Sequence, residues 1–229
     1  MDKELEYYDF MERKREKIHY MHTIIKNNIY KDYEIDILLR GYIILIYSFW
    51  ESSYNNLWEV FYYFLSKVKT ADLPFRIRNE ILLNKIVNIR KFDQKINELK
   101  TFNYITKANK GIESALNKVV DDINDTEECF KKSSNNPNIE ILCDFLKLYN
   151  MKLETEDLIK RKIGFLVEAR NDIAHRGETE KDYKLEIQSK FNDIKKSEID
   201  ILQDITLDIS ELFRTVIFEF KKKYSMHKQ

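Results

Sequence analysis

The sequence predicts an all-α fold, an antiparallel bundle of four to five core helices with additional helices. The 229 residues include only 4 Gly and 2 Pro, so the turn residues that hairpins and multi-stranded sheets need are scarce. Hydrophobic residues make up 43% of the chain and aromatic residues 13%, which is enough to bury a core despite 34% charged residues. Apolar residues also recur at helical spacings over long stretches. At this length a single domain, residues 1–229, is expected.

Two long helices are predicted at the beginning of the chain. The first covers residues 3–31 and is expected to pack on a core formed by residues 33–224. Its apolar stripe consists of Tyr8, Met11, Ile18, Met21 and Ile25. The second helix covers residues 33–68 and is apolar on nearly all sides near its middle, so it should be the most buried helix. Its apolar run from Gly41 to Trp50 is about half the roughly 20 residues that cross a bilayer, which favours a buried helix over a membrane span.

Four more helices are predicted, each from an apolar pattern bounded by capping or loop residues. They cover residues 74–89, 139–149, 155–175 and 194–224. Asp72 is a plausible cap for the first of them, and the Ser/Asn/Pro segment 131–138 is the strongest loop signal in the chain. Thr155 and Gly177 are expected to begin and end the third of these helices.

The charge balance limits how this chain could bind nucleic acid. It has 39 basic and 39 acidic residues, which excludes a generally basic surface, so any RNA contact must be local. Residues 85–118 carry a local excess of positive charge with interleaved aromatic residues, which could contact phosphates and unpaired bases. A solvated helix face explains the same pattern. The residues predicted to bind RNA are Lys91, Lys95, Lys107, Lys110 and Arg176.

The remaining composition predicts a reduced, cytoplasmic setting without a metal, a cofactor or a membrane contact. Cys129 and Cys143 do not have the spacing of a metal site, and no Gly-rich phosphate loop is present. The first residues are charged where a secretory signal would become apolar.

The residues that could carry chemistry lie near the end of helix 155–175. Helical spacing places Arg170 in an apolar seam, where a guanidinium needs an anion, a carboxylate or a solvent-filled cleft. The other members of this predicted seam are Ile163, Leu166 and Ile173. Asn171 and His175 are four residues apart and share a helical face. The small Ala174 and the expected helix end at Gly177 should leave His175 accessible.

The spacing of arginine and histidine is not specific by itself, because Arg13 with His19 and Arg15 with His22 fit the same loose pattern. A structural role is also open for the segment near Arg170. Arg170 would then pair with a core carboxylate such as Glu51, and His175 would stabilise the C-terminus of its helix.

Three blocks of the sequence resemble HEPN domains, in particular the prokaryotic branch found with toxin–antitoxin and phage-defence systems. RNDIAHRG, beginning at Arg170, is similar to the Arg-Asn-x-x-x-His motif of these domains. The segment from Tyr47 to Glu51, YSFWE, resembles their aromatic-Trp-Glu stretch on an early helix. Residues 134–138, SNNPN, resemble the polar loop before the motif helix.

The resemblance implies a homodimer that pairs through its motif helices, with Arg170 and His175 of both subunits facing one cleft. It implies metal-independent cleavage of RNA, such as tRNA, to 2′,3′-cyclic phosphate and 5′-hydroxyl ends. An antitoxin or another defence protein is a possible partner. The alternative is a non-catalytic dimer of the same fold that binds a partner protein or a nucleotide.

The resemblance also implies a role for each residue of the motif. His175 would act as general base or acid, and Arg170 would stabilise the charged phosphate. Asn171 would position the phosphate or the imidazole, and Asp172 would tune the neighbouring charges. Glu51 would support the motif helix from behind, although a simple buried ion pair explains it equally well. Trp50, in the most apolar helix, is predicted to belong to the core.

Overall fold

The computed structural model describes residues 2–65, 68, 73, 136–154, 156–175 and 182–225. Within these ranges the chain forms six helices and no strand, which confirms the predicted all-α class. The helices are α1 (Lys3–Asn27), α2 (Asp32–Leu65), α3 (Ile139–Leu148), α4 (Asp157–His175), α5 (Tyr183–Lys190) and α6 (Glu198–Ser225).

Several predictions lie outside the described residues. They include the helix 74–89 with its cap Asp72, the helix start at Thr155 and its end at Gly177. The predicted RNA-contact residues Lys91, Lys95, Lys107, Lys110 and Arg176 lie outside them as well.

Helix α1 begins where Asp2 accepts a hydrogen bond from the backbone N–H of Glu4 at 3.0 Å. Its buried stripe differs from the predicted one, because Tyr7 and His22 are buried where Tyr8 and Met21 were expected. The buried residues are Tyr7, Met11, Ile18, His22 and Ile25. Tyr7 donates a hydrogen bond to the backbone oxygen of Ser53 at 2.8 Å, so this stripe lies against α2. The helix ends at Asn27, four residues earlier than predicted.

The middle of helix α2 is heavily buried, in line with its apolar pattern. Seven of its residues between Leu39 and Leu57 have 0% exposure, namely Tyr42, Ile43, Ile46, Phe49, Trp50, Ser53 and Leu57. The run from Gly41 to Trp50 is therefore a helical segment that is mostly buried. No helix among the described residues is both long enough and apolar enough to cross a membrane.

The C-terminal part contains one helix that the sequence pattern did not predict. Helix α5 has two turns, and Asp182 caps it by accepting from the backbone N–H groups of Lys184 and Leu185. Its buried residues are Tyr183 and Ile187. An apolar repeat of two residues is too short to stand out among charged neighbours. Helix α6 begins at Glu198 rather than at residue 194.

The chain divides into two compact units. The first comprises Met1–Leu57, Ser134–Leu142 and Leu153–Val216, and it contains the motif helix α4. The second comprises Trp58–Ser133, Cys143–Lys152 and Ile217–Gln229. A ring cluster forms the described core of the second unit, where Phe61 and Phe220 stack with centroids 3.6 Å apart and Tyr149 meets both edge-on.

Candidate active site

Arg170 lies on the buried face of α4, toward the end of the helix where that face is only half-buried. Ile163, Leu166 and Ala169 are buried, whereas Arg170 and Ile173 are half-buried. Because neighbouring residues of a helix are about 100° apart, Arg170 lies within about 40° of the buried Ile163 and Leu166 around the helix axis. Arg170 is thus on the predicted face, and its side chain is half-buried. A guanidinium in this position reaches the core without losing all contact with solvent.

Arg170 contacts an aromatic ring of the early helix instead of a carboxylate. Its guanidinium carbon lies 5.3 Å from the ring centroid of Tyr47 on α2, within the range of a cation–π contact. Its Nη1 donates to Oδ1 of Asn171 at 3.2 Å. No ion pair joins Arg170 to Glu51, although the described residues include both. The direct pair considered from the sequence is therefore replaced by a contact with the tyrosine ring.

Tyr47 is buried, and among the described residues its hydroxyl has two acceptors within reach. The hydroxyl lies 3.1 Å from Oδ1 of Asn136 and 3.4 Å from Oε1 of Glu51, and its single proton is donated to one of them or shared between them. Burial, with the nearby charge of Glu51, raises the pKa of Tyr47 to about 12, and the charge of Arg170 opposes this shift. The phenol is therefore protonated at neutral pH. Its hydroxyl contacts Glu51 and its ring contacts Arg170, so Tyr47 connects these two residues.

The polar loop before α3 is fixed to the same part of α2. The indole Nε1 of Trp50 donates to the backbone oxygen of Pro137 at 2.6 Å, and the Trp50 side chain is buried as predicted. Asn138 then caps α3 by accepting from the backbone N–H of Ile141 at 2.8 Å. The three sequence blocks that resemble HEPN domains thus meet at one place, around Tyr47.

His175 is the last residue of α4 and is exposed. Asn171 lies one turn earlier, and Asp172 between them is half-buried. Arg170 and His175 are five positions apart in the helix. This places them about 7.5 Å apart along the helix axis and about 140° apart around it. One α4 therefore presents the two side chains in different directions.

A second arginine–tyrosine contact supports α4 just before Arg170, and the sequence did not indicate it. The hydroxyl of Tyr183 on α5 donates to the backbone oxygen of Ala169 at 3.4 Å. Arg40 lies over the Tyr183 ring at 4.9 Å and pairs with Asp36 at 2.6 Å. Asp36 also accepts from the backbone N–H of Tyr183 at 3.2 Å. Such contacts join distant parts of the chain, and no local spacing reveals them.

Metal ligands are not grouped in the described part of the chain, where no three His, Cys, Asp or Glu side chains are placed to hold an ion. His22 instead contacts Asp200 at 3.0 Å and stacks on His19 with ring centroids 5.9 Å apart.

The comparison with protein families agrees with this arrangement. The family described as RiboL-PSP-HEPN matches residues 8–217 of the chain, a range that includes all three blocks. No curated protein and no solved structure matches the chain significantly. HEPN domains are all-α and are generally ribonucleases or nucleotide-related proteins. Since the match extends over most of the chain, this protein belongs to the HEPN domain family.

Proposed function

We propose that this protein is a metal-independent endoribonuclease of the toxin or phage-defence type, which cleaves RNA such as tRNA. The observation that carries the proposal is the guanidinium of Arg170, half-buried and held on the ring of Tyr47, on the helix that ends in the exposed His175. A positive charge at the edge of the core, on the same helix as an accessible imidazole, suits a phosphate whose charge grows during a reaction.

In the proposed reaction the RNA supplies its own nucleophile. The 2′-oxygen attacks the adjacent phosphorus while a base takes the 2′-hydroxyl proton. The bond from phosphorus to the 5′-oxygen breaks, and an acid returns a proton to that oxygen. The products are a 2′,3′-cyclic phosphate and a 5′-hydroxyl, with no redox change and no added reactant. An imidazole can take or give the proton near neutral pH, and we assign this role to His175.

Arg170 would bind and stabilise the charged phosphate. A guanidinium presents five N–H donors in a planar fork that matches two phosphate oxygens at once. Asn171 accepts from one of these donors, which orients the fork. We assign Asp172 to tuning the neighbouring charges and Glu51 to supporting Arg170 through Tyr47. Local RNA contacts by Lys91, Lys95, Lys107, Lys110 and Arg176 remain part of the proposal.

A homodimer gives the two functional groups a common target. Because Arg170 and His175 of one α4 point about 140° apart, a phosphate between two copies of α4 could receive the arginine of one subunit and the histidine of the other. We therefore propose that the active centre lies at a twofold axis.

The proposal is tested with total RNA and purified tRNA in the presence of EDTA. Four variants are compared with the wild-type protein, namely His175→Ala, Arg170→Ala, His19→Ala and Arg13→Ala. The last two are matched controls, since His19 and Arg13 are exposed on α1 and have a similar spacing. We expect loss of about 10²- to 10⁴-fold in cleavage rate for the first two and little change for the controls.

Folding of each variant is checked by its circular dichroism and its mass in solution. If the folded wild-type protein cleaves neither RNA, or if His175→Ala cleaves as fast as wild type, the ribonuclease proposal is wrong. A non-catalytic HEPN dimer that binds a protein or a nucleotide would then be the function to pursue.

A further inference from the structure

We infer that Tyr47 is a positioning residue for RNA cleavage, because its ring sets the direction of the Arg170 guanidinium. This inference rests on the proposed ribonuclease function and adds a residue to which the motif assigns no role. Tyr47 is 2% exposed, so it is not placed to stack on a base of the RNA. Its effect on the reaction must be transmitted through Arg170.

The contact suits this role because of the shape of the guanidinium. The ring attracts the cation at its face, where the π electrons are, while all five N–H donors lie in the guanidinium plane. The contact with the Tyr47 ring therefore restricts the side chain without using a donor. Among the described residues, the guanidinium donates one hydrogen bond, to Asn171. The ring, 5.3 Å from the guanidinium carbon, and Asn171 together restrict where the fork can lie.

Tyr47 can direct Arg170 because its own position is fixed from two sides. Asn136 belongs to the polar loop, which the Trp50–Pro137 hydrogen bond ties to α2. Glu51 lies one helical turn after Tyr47 and accepts at 3.4 Å. A ring anchored at its hydroxyl cannot swing about its Cβ bond as freely as an unanchored one. The three blocks of sequence therefore support one guanidinium.

The physical size of the effect can be bounded. A small misplacement of a catalytic group slows a reaction by up to about 10²-fold. We expect Tyr47→Leu to lower the rate at saturating tRNA about 10- to 100-fold. Tyr47→Phe keeps the ring and loses only the hydroxyl contacts with Asn136 and Glu51. We therefore expect its cleavage rate to fall less than about 10-fold.

The test is a double-mutant cycle with purified tRNA as substrate. The rates of wild type, Tyr47→Leu, Arg170→Ala and the double variant are measured at saturating and at low tRNA. If Tyr47 acts through Arg170, Tyr47→Leu adds less than about a 2-fold loss once Arg170 is Ala. Tyr54→Leu, at another buried tyrosine of α2, is the matched control and should change the rate about 2-fold or less.

A nuclear magnetic resonance measurement observes the contact in the wild-type protein, and it needs the conservative variant Arg170→Lys only to assign the signal. The Nε–H signal of Arg170, assigned by its loss in Arg170→Lys, should show the upfield ring-current shift of a group above an aromatic face. A position typical of a solvated arginine would overturn the inference.

The outcomes separate the two proposals. One outcome is that wild type cleaves tRNA while Tyr47→Leu slows cleavage as much in the Arg170→Ala background as it does alone. In that case the inference fails and the ribonuclease function holds. If wild type does not cleave, the proposed function fails and the positioning role for cleavage falls with it.

Discussion

Arg170 shows what a sequence pattern can and cannot predict about a single residue. The spacing on α4 identified a guanidinium close to an apolar seam, and the need for a partner followed from the cost of burying charge. The identity of the partner did not follow, because Tyr47 lies on a helix far earlier in the chain. A carboxylate was the natural expectation, but the ring of Tyr47 takes its place and Glu51 contacts that ring's hydroxyl.

The raised pKa of Tyr47 leads to a prediction about alkaline stability. The folded state holds the phenol proton more tightly, with a pKa of about 12 against 10.0 for an ordinary tyrosine. Tyr47 therefore contributes stability that is fully present below about pH 10 and is lost as the pH rises through 12. Tyr47→Phe should lower the free energy of unfolding by about 1 kcal/mol at pH 8, because two polar partners lose the hydroxyl. The variant should also lose less free energy of unfolding between pH 10 and pH 11 than the wild-type protein does.

Urea unfolding at pH 8, 10 and 11 measures both effects. Tyr20→Phe is the control, since Tyr20 is 69% exposed. Equal pH slopes for Tyr47→Phe and the wild-type protein would show that Tyr47 does not titrate differently in the folded state.

At the scale of elements, α1 is joined to the start of α6 by a charged cluster. Asp200 accepts from Nζ of Lys26 at 2.7 Å and from Nε2 of His22 at 3.0 Å. The hydroxyl of Ser197 also donates to Asp200 at 2.7 Å. Hydrogen bonds from Lys26, Ser197 and His22 keep the pKa of Asp200 well below its usual range.

Asp200→Asn should loosen this connection between α1 and α6. Because the folded-state pKa of Asp200 is lowered, its stabilisation is present above the ordinary carboxyl pKa near 4 and is lost as the pH falls below it. We expect the free energy of unfolding of the variant to be about 1–2 kcal/mol lower than that of wild type at pH 7. The value is modest because the site is partly exposed. The difference from wild type should shrink at pH 3.

Unfolding by urea at pH 7 and pH 3 measures this change, with the exposed Asp9→Asn on α1 as the control. A constant difference between variant and wild type at the two values would contradict the assigned role of the carboxylate.

The elements themselves were predictable to the extent that their apolar repeats were long. Helices α2, α3 and α4 follow continuous patterns, and their predicted ranges agree with the structure to within a few residues at their described ends. The buried stripe of α1 was partly misplaced because His22 is polar by type and is buried only through its contact with Asp200. Helix α5 was missed because its two buried residues make too short a repeat. A polar contact with a distant segment explains the burial of His22, and the shortness of its repeat explains why α5 was missed.

At the scale of the whole molecule, the first compact unit contains all the described residues of the candidate site. Its three contributions to the site come from α2, the loop before α3 and α4. A single domain of 229 residues remains the prediction from the sequence.

The proposed dimer predicts that two inactive variants restore each other. In a mixed dimer, Arg170→Ala supplies an intact His175 and His175→Ala supplies an intact Arg170, so one complete pair faces the cleft. Random pairing makes about half of the dimers mixed, and co-expression should recover a measurable part of wild-type cleavage. A monomeric mass in sedimentation, or no recovery despite mixed dimers, would contradict a shared centre.

The most direct test of the central claim is the chemistry of the RNA ends made in EDTA. Products of wild-type cleavage are mapped by mass spectrometry, with His175→Ala treated in parallel. We predict 2′,3′-cyclic phosphate and 5′-hydroxyl ends from wild type, and no such ends above background from His175→Ala. Ends with a 3′-hydroxyl and a 5′-phosphate, or identical products from the two proteins, would contradict it.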